Sequence, residues 1–424
     1  MREEPRSVAA ILCHAPAAFA RAHLAALCAG SVSVLVPNQD YRVLADLAQR
    51  FGPRFEVFTD RPDDRRLQGH AVRAVADLPD TSDFPRDIPP GQIVTVLLTS
   101  GTTGEAKIVT KAFGNFADEV RSLDQLFRPP GTDVRVITTV PLEHMYGYVY
   151  GFFWPRLVGV EAPEVRIALP SDLARALSGS PKAVWLVTTP IHLAAFVEAG
   201  LQVDNVDRVF SATGALTPQL ARDSAKCFGV AITDIYGSTE TGTVGWRDMD
   251  GSEKLWECLP LRELRQTDDG GVEVHSPDYP QPEVLADIIE LEAAGQFRIV
   301  SRAADIIKVA GKRTSLAGLN AALLSAPSVR DGIYWMPDEA NRESKVVRPV
   351  AFVVLREGAT TEAVMEHLRG RIDPVFLPRP LFTVDELNRN AVGKMTKERL
   401  LALYASCVSA APVETDVVIR SQPE

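Results

Sequence analysis

The chain has 424 residues, 46% hydrophobic and 24% charged, which is ordinary globular composition with length for two domains. A formal net charge of -10, from 45 basic and 55 acidic residues, argues against a nucleic acid or an anionic membrane as the main partner. Five scattered cysteines, Cys13, Cys28, Cys227, Cys258 and Cys407, form no C-x-x-C pair. That argues against a disulfide framework or a zinc site and fits a reducing cytoplasm. The most apolar long stretch, residues 145–160, is broken by Pro155 and Arg156, so no membrane span is expected. The opening Met1-Arg2-Glu3-Glu4 does not read as a secretory signal.

In chain order, residues 17–28 read as an Ala-rich helix stopped by Gly30, followed by a strand over 31–36 that Pro37 ends. An amphipathic helix over 40–51 and a strand over 55–59 continue the alternation. That pattern predicts an α/β fold, a parallel sheet with helices on its faces. Residues 61–92 are polar and rich in proline, a surface connection. An apolar, β-branched run over 93–98 then leads into Thr99-Ser100-Gly101-Thr102-Thr103-Gly104-Glu105-Ala106-Lys107. Glycines let backbone N–H groups approach an anion, hydroxyls donate to it, and lysine adds a point charge. The loop reads as a phosphate-binding flap between two strands, or as a hairpin turn rich in Thr and Gly. It is not a Walker A loop, because Ile108-Val109-Thr110-Lys111 after Lys107 reads as a strand and not as a helix.

A helix capped by Asn115 is expected to run to Phe127, with Phe116, Val120, Leu123 and Phe127 at helical spacing. A strand over 134–140 ends in Pro141-Leu142-Glu143-His144-Met145-Tyr146-Gly147, and an aromatic helix continues to residue 153. His144 at a strand end is either a substrate contact or a core histidine. Strands over 183–187, 206–211 and 230–234 follow, with helices beginning at 191 and reaching 225. The last two strands lead into Ala212-Thr213-Gly214-Ala215 and Ile235-Tyr236-Gly237-Ser238-Thr239-Glu240. Glu240 reads as a magnesium ligand or as a helix-start cap. Residues 255–300 look antiparallel, with a hairpin of 284–291 and 296–300. The smaller mixed unit beyond holds a helix over 316–325, strands near 332–336 and 349–355, a helix near 361–371, and Lys394 on a loop before a last helix. The expected domains are 1–302, 303–410 and a disordered tail over 411–424.

These segments together resemble the adenylate-forming superfamily of acyl- and aryl-CoA ligases, luciferases and peptide-synthetase adenylation domains. The resemblance implies a large N-terminal α/β domain of parallel and mixed sheets, short at its start, and a small mobile α+β C-terminal domain. It implies ATP and Mg²⁺. Thr99, Ser100, Gly101, Thr102, Thr103, Gly104 and Lys107 would hold phosphates, and Gly214 and Ala215 would line the adenine. Asp234, Tyr236, Gly237, Ser238 and Thr239 would complete the nucleotide site. There Tyr236 would stack on adenine while Asp234 accepts from its amino group. Glu240 would hold the metal, Asp287 the ribose hydroxyls, and Arg302 the ribose or a phosphate. Lys394 would sit between the acid and the α-phosphate. The catalytic set would be Lys394, Glu240, Thr239 and His144. The substrate set would be His144, Met145, Tyr146, Gly147, Gly237 and Thr241.

Two segments, His144-Met145-Tyr146-Gly147 and Gly311-Lys312-Arg313-Thr314-Ser315-Leu316, are similar to the short ligases of aryl-polyene and xanthomonadin-type pathways. That narrower likeness implies a small aromatic or unsaturated acid, loaded on an acyl carrier protein or CoA. Lys308, Lys312 and Arg313 would supply a basic patch for an acidic carrier protein. His144, Tyr146, Tyr148 and Phe152 offer flat surfaces for an aryl group, with room left by Gly147 and Gly151; the same stripe also suits core packing. The chain departs from the superfamily pattern at Ala304, at Gly318 where a Glu is usual, and at Asn388 where a Pro is usual. Other readings of the same fold are a diazotase using nitrite and an arylamine, an amide synthetase, and a nucleotide-binding pseudo-enzyme.

Overall fold

Strands that are apolar on both faces need cover on both faces. Val8–Leu12 and Val32–Leu35 are buried along their whole length for that reason. The computed structural model describes residues 7–410 apart from 81–83, 86, 101–105, 178–181, 253, 269, 278–280, 303–305, 310, 338–347 and 391–392. The expected tail over 411–424 therefore lies outside the described residues. The two buried strands join Phe55–Thr59, Val72–Ala74, Ile93–Ser100 and Ala106–Ala112 in a six-stranded sheet. Its pairings are parallel except the last, where Ile93–Ser100 and Ala106–Ala112 run antiparallel. The pair's last register partners are Thr99↔Lys107 and Ser100↔Ala106.

A second sheet has eight strands. Val134–Thr138, Ala183–Thr188, Val206–Ser211 and Ile232–Ser238 lie side by side and parallel. Gly242–Met249 returns antiparallel to Ile232–Ser238, and Trp256–Cys258, Gln296–Arg302 and Asp287–Leu291 extend the edge. Helices Pro190–Glu198 and Pro218–Phe228 follow the second and third parallel strands, as a crossover requires. Helix Phe113–Phe127 follows the first sheet's hairpin. Asn115 sits in its first turn instead of preceding it, and its side-chain oxygen accepts the Ala112 N–H at 2.8 Å.

The largest core cluster is aromatic. Phe116 stacks on Phe153 at 4.2 Å, and Phe127, Trp154, Trp185 and Phe210 pack on one another beside them. Residues Val149–Phe153 form a π-helical turn between short α-helical pieces Met145–Tyr148 and Trp154–Val158. This turn buries five consecutive residues, four of them with side chains in the interior. Tyr148 and Phe152 therefore stand in the core, at 0% and 1% exposure, rather than on a substrate surface. Gly147 and Gly151 leave room for protein: a Cβ on Gly147 would meet the Pro141 carbonyl oxygen at 2.2 Å, and one on Gly151 would meet Leu142 at 2.7 Å. The Tyr148 hydroxyl is satisfied by Thr95 Oγ1 at 2.7 Å and His23 Nε2 at 2.7 Å. Burial pushes the His23 imidazole down to about 3, so it stays neutral.

The described residues divide into two compact units, with a break between Val300 and Ser301. The second contains the hairpin Ile306–Val309 and Lys312–Ser315, and a three-stranded sheet of Val329–Trp335, Val350–Leu355 and Leu381–Thr383. Helices Leu316–Leu324, Thr361–Arg369 and Lys397–Ala410 complete it. Among the described residues no helix is long and apolar enough to cross a membrane.

Replacing Tyr148 with Phe removes one hydroxyl and strands two buried partners. The expected loss is about 1–3 kcal/mol of unfolding free energy, read as a lower urea midpoint at unchanged slope.

Candidate active site

The four parallel strands of the larger sheet end together. Thr188 pairs with Ser211 and Ser211 with Asp234, so three buried polar side chains stand in a row at the carboxyl edge. Thr188 Oγ1 meets Thr139 Oγ1 at 3.0 Å, and Asp234 Oδ2 accepts from Arg247 Nη2 at 2.9 Å and Nε at 3.1 Å. Ligands of open α/β sheets gather at such an edge, where backbone groups point out of the last turns of ladder. Three of the four loops leaving this edge carry residues expected from the sequence: Pro141 and His144 after the first strand, Gly214 and Ala215 after the third, Thr239 and Glu240 after the fourth.

Tyr236 and Asp287 come together although they are distant in the chain. The Tyr236 hydroxyl donates to Asp287 Oδ2 at 2.5 Å, and the ring is half-buried against Trp256 and Phe297. A flat ring fixed at the sheet edge beside a carboxylate suits a purine on one side and a ribose diol on the other. Asp234 is different: it is buried, and its Arg247 partner donates two hydrogen bonds to one of its oxygens. Burial pushes its carboxyl up to about 7, against the pull of Arg247.

The turn after Ile232–Ser238 is closed by its own hydroxyls. Thr241 Oγ1 accepts the Ser238 N–H at 3.1 Å and donates to the Gly242 carbonyl at 2.9 Å, and Ser238 Oγ accepts the Thr241 N–H at 3.1 Å. Thr241, expected at the substrate, is thus 1% exposed and occupied with the turn. Gly237 tolerates no side chain, since a Cβ would meet the Gly242 carbonyl oxygen at 2.1 Å. Thr239 and Glu240 are half-buried at the tip. Among the described residues no group of three or more His, Cys, Asp or Glu could hold a metal by itself. One carboxylate at a turn fits a magnesium ion that keeps waters and shares phosphate oxygens.

Thr213 has φ +76°, a left-handed conformation that costs a β-branched residue energy. It turns the chain out of the buried strand end so that Gly214 and Ala215 are exposed. Tyr146 lies with its phenol oxygen buried beside the Thr188 backbone and Asp234, and its ring is 4.9 Å from that of Tyr150. His144 and Met145 are half-buried at the start of the same helix. Sequence reading passed over Glu143, which is 8% exposed and whose carboxyl burial pushes up to about 7, with Arg166 opposing. The signal was a lone acid inside an apolar strand-end loop. Gly101, Thr102, Thr103 and Gly104 lie outside the described residues, as does Ala304, and of Thr99, Ser100, Lys107 and Arg302 only the backbone is described. Lys394 belongs to the second unit, where it is exposed on a loop. Its N–H donates to Asn390 Oδ1 at 2.8 Å and its carbonyl accepts the Asn390 N–H at 2.9 Å.

The family described as AMP-binding enzyme matches residues 4–260, and the AMP-binding enzyme C-terminal domain matches residues 321–394. A 4-coumarate–CoA ligase of Cereibacter sphaeroides is 30% identical over 315 residues, 70% of this chain and 69% of the relative. Triostin synthetase I of Streptomyces triostinicus is 25% identical over 365 residues, 77% of this chain and 68% of its own. Among solved structures, O-succinylbenzoate coenzyme A synthetase from Bacillus subtilis in complex with ATP and magnesium ion superposes with a TM-score of 0.78 at 20% identity. It covers 94% of this chain and 90% of that one. An anthranilate CoA ligase in complex with anthranoyl-AMP gives 0.76 at 17% identity, covering 96% and 89%. The α/β fold, a large N-terminal domain with a smaller C-terminal one, is the fold of these structures.

Glu143 gives a pH test of the strand-end environment. Its carboxyl is raised in the folded chain from 4.5 to about 7, so its contribution to stability is present below pH 4.5 and lost as pH rises through 7. Glu143→Gln should therefore gain stability over wild type between pH 5 and pH 8, measured as the difference in urea midpoints (about these two pH values).

Proposed function

The chain belongs to the AMP-binding enzyme family, and we propose that it activates a small aromatic or aryl-alkenoic acid with ATP and passes the acyl group to a thiol. The acid's carboxylate attacks the α-phosphorus of ATP, the bond to the β-phosphate breaks, and pyrophosphate leaves. The thiol then attacks the acyl carbon and AMP leaves. The acceptor is an acyl carrier protein or CoA. The observation that carries the reading is the meeting of Tyr236 and Asp287 at a sheet edge where Gly214, Ala215, Thr239 and Glu240 also emerge.

Such chemistry asks side chains mainly to position reactants and to balance charge. Tyr236 offers its ring to adenine while Asp287 holds it and accepts from the ribose hydroxyls. The exposed backbone of Gly214 and Ala215 would lie along the purine. Glu240 would hold a magnesium ion, which when bound neutralises phosphate charge. Asp234 has its Arg247 partner, so any contact to the adenine amino group is shared with that pair. Thr99, Ser100, Gly101, Thr102, Thr103, Gly104 and Lys107 are proposed to clasp the phosphates, and Arg302 to reach the ribose. Lys394 is proposed as the cation between the carboxylate and the α-phosphate, a role for a point charge on a flexible stem.

An aryl acid is favoured because the loop after the first parallel strand presents His144 and Tyr146 and no charged group exposed at its helix start. A carrier-protein acceptor is supported by the second unit's hairpin. Lys308 and Arg313 are cross-strand partners, both exposed, while Lys312 is engaged by Asp373 at 2.5 Å. The narrower kinship with aryl-polyene-type ligases stays part of this proposal.

ATP–pyrophosphate exchange against benzoates and cinnamates tests the acid. Exchange above background is expected with at least one aryl acid; exchange that requires nitrite, or none with any acid, refutes the assignment. Lys394→Ala should lower exchange by about a hundredfold or more while thiol transfer from a supplied acyl-adenylate persists. Equal loss of both half-reactions would remove Lys394 from the first step.

A further inference from the structure

The turn that carries Thr239 and Glu240 rests on charged residues that neither the motif nor the proposed chemistry uses. Lys111 projects from Ala106–Ala112, the strand that also contains Lys107, and is 5% exposed. Its ammonium donates to the backbone carbonyl of Glu240. Glu119, on helix Phe113–Phe127, is 2% exposed and its Oε1 accepts the Thr243 N–H at 2.8 Å. Gly242 lies between the two attachments with φ +64°, and a Cβ there would meet Glu119 Oε2 at 2.3 Å. Arg262, 7% exposed, donates from Nε to the Thr243 carbonyl at 3.4 Å and from Nη1 to Ser276 Oγ. Tyr150 approaches Thr243 Oγ1 at 3.3 Å. The turn is thus held at its tip, through Glu240, and at the start of the strand that leaves it, through Thr243.

Buried charges are poor stabilisers. Taking an ammonium and a carboxylate out of water costs more than apolar side chains of the same volume would. Burial pulls the Lys111 ammonium down from its ordinary range, with Glu119, Glu283 and Glu240 opposing that pull and Arg262 adding to it. What Lys111 and Glu119 supply that apolar residues cannot is direction: each binds one named backbone atom, the Glu240 carbonyl and the Thr243 N–H, in the segment that leads out of Glu240.

We propose that Lys111 and Glu119 are positioning residues for the metal-side turn. They fix where Glu240 presents its carboxylate, and they tie that turn to the strand and helix that follow the phosphate loop. The inference rests on the proposed function, because it takes Glu240 as the magnesium ligand. Lys111 itself touches no substrate in this role; it acts through the Glu240 backbone.

The test separates metal-dependent from metal-independent nucleotide binding. Calorimetry measures AMP and MgATP affinity, and a Mg²⁺ titration at fixed ATP gives the midpoint for metal. In Lys111→Met, MgATP affinity should fall about tenfold and the Mg²⁺ midpoint should rise, while AMP affinity stays within about twofold. Lys111→Arg, which keeps a cationic donor, should restore part of the loss. Glu119→Gln keeps an oxygen for the Thr243 N–H and serves as the fold-preserving control, in which the Mg²⁺ midpoint should stay where it is; Glu119→Leu, which removes the acceptor, should shift it as Lys111→Met does. The inference is overturned by parallel loss of AMP and MgATP binding, or by unchanged MgATP affinity in Lys111→Met. It is equally overturned if Glu119→Leu leaves the midpoint where it was. A wild-type chain that binds neither nucleotide refutes the functional reading itself, a different result from either.

Discussion

Four parallel strands ending in register are the constraint on which the rest depends. In a parallel ladder the hydrogen bonds slant, and the strand ends leave donors and acceptors facing one way. At these ends polar side chains pair with one another: buried Thr139 with buried Thr188, and buried Asp234 with half-buried Arg247. The loops that leave the same edge are then forced into one neighbourhood. Tyr236, Gly214, His144 and Glu240 share a locality because the register Thr188↔Ser211↔Asp234 leaves their strands no other place to end.

The edge is also made rigid by what cannot fit there. Gly147, Gly237 and Gly242 each lie where a Cβ would run into a carbonyl or a carboxylate within 2.3 Å. Thr213 holds a left-handed conformation that glycine would adopt more easily. Such strain persists when the surroundings over-determine it, and it is characteristic of sites that present backbone to a ligand. The aromatic core behind the edge serves the same end. The π-helical turn Val149–Phe153 spends five consecutive residues on packing, which fixes the helix that starts at Met145.

Much of this was legible in the sequence. Apolar β-branched runs marked the strands, and the Gly- and hydroxyl-rich segments after them marked the edge. The strand over 206–211 was read with the bounds it has, and the Glu292-Ala293-Ala294-Gly295 hairpin was read in the right place. Three kinds of feature were not legible. Val8–Leu12 went unread, because five apolar residues are too few to show a period. Tyr148 and Phe152 were readable either as a substrate wall or as core, because helical spacing does not reveal which face a π-turn rotates inward. Lys111, Glu119 and Glu143 carried no motif, since a buried charge is recognised only by what tertiary structure places around it. Asp234 shows the same limit from the other side: its motif position was plain, but Arg247 as its partner was not.

The most direct measurement is calorimetric binding of AMP to the wild-type chain and to Asp287→Ala. The account predicts one AMP per chain and a loss of about tenfold or more in the variant, because Asp287 both holds Tyr236 and accepts from the ribose. Equal affinity in the two proteins would contradict it, since the hydrogen-bonded Tyr236–Asp287 pair would then have no part in nucleotide recognition.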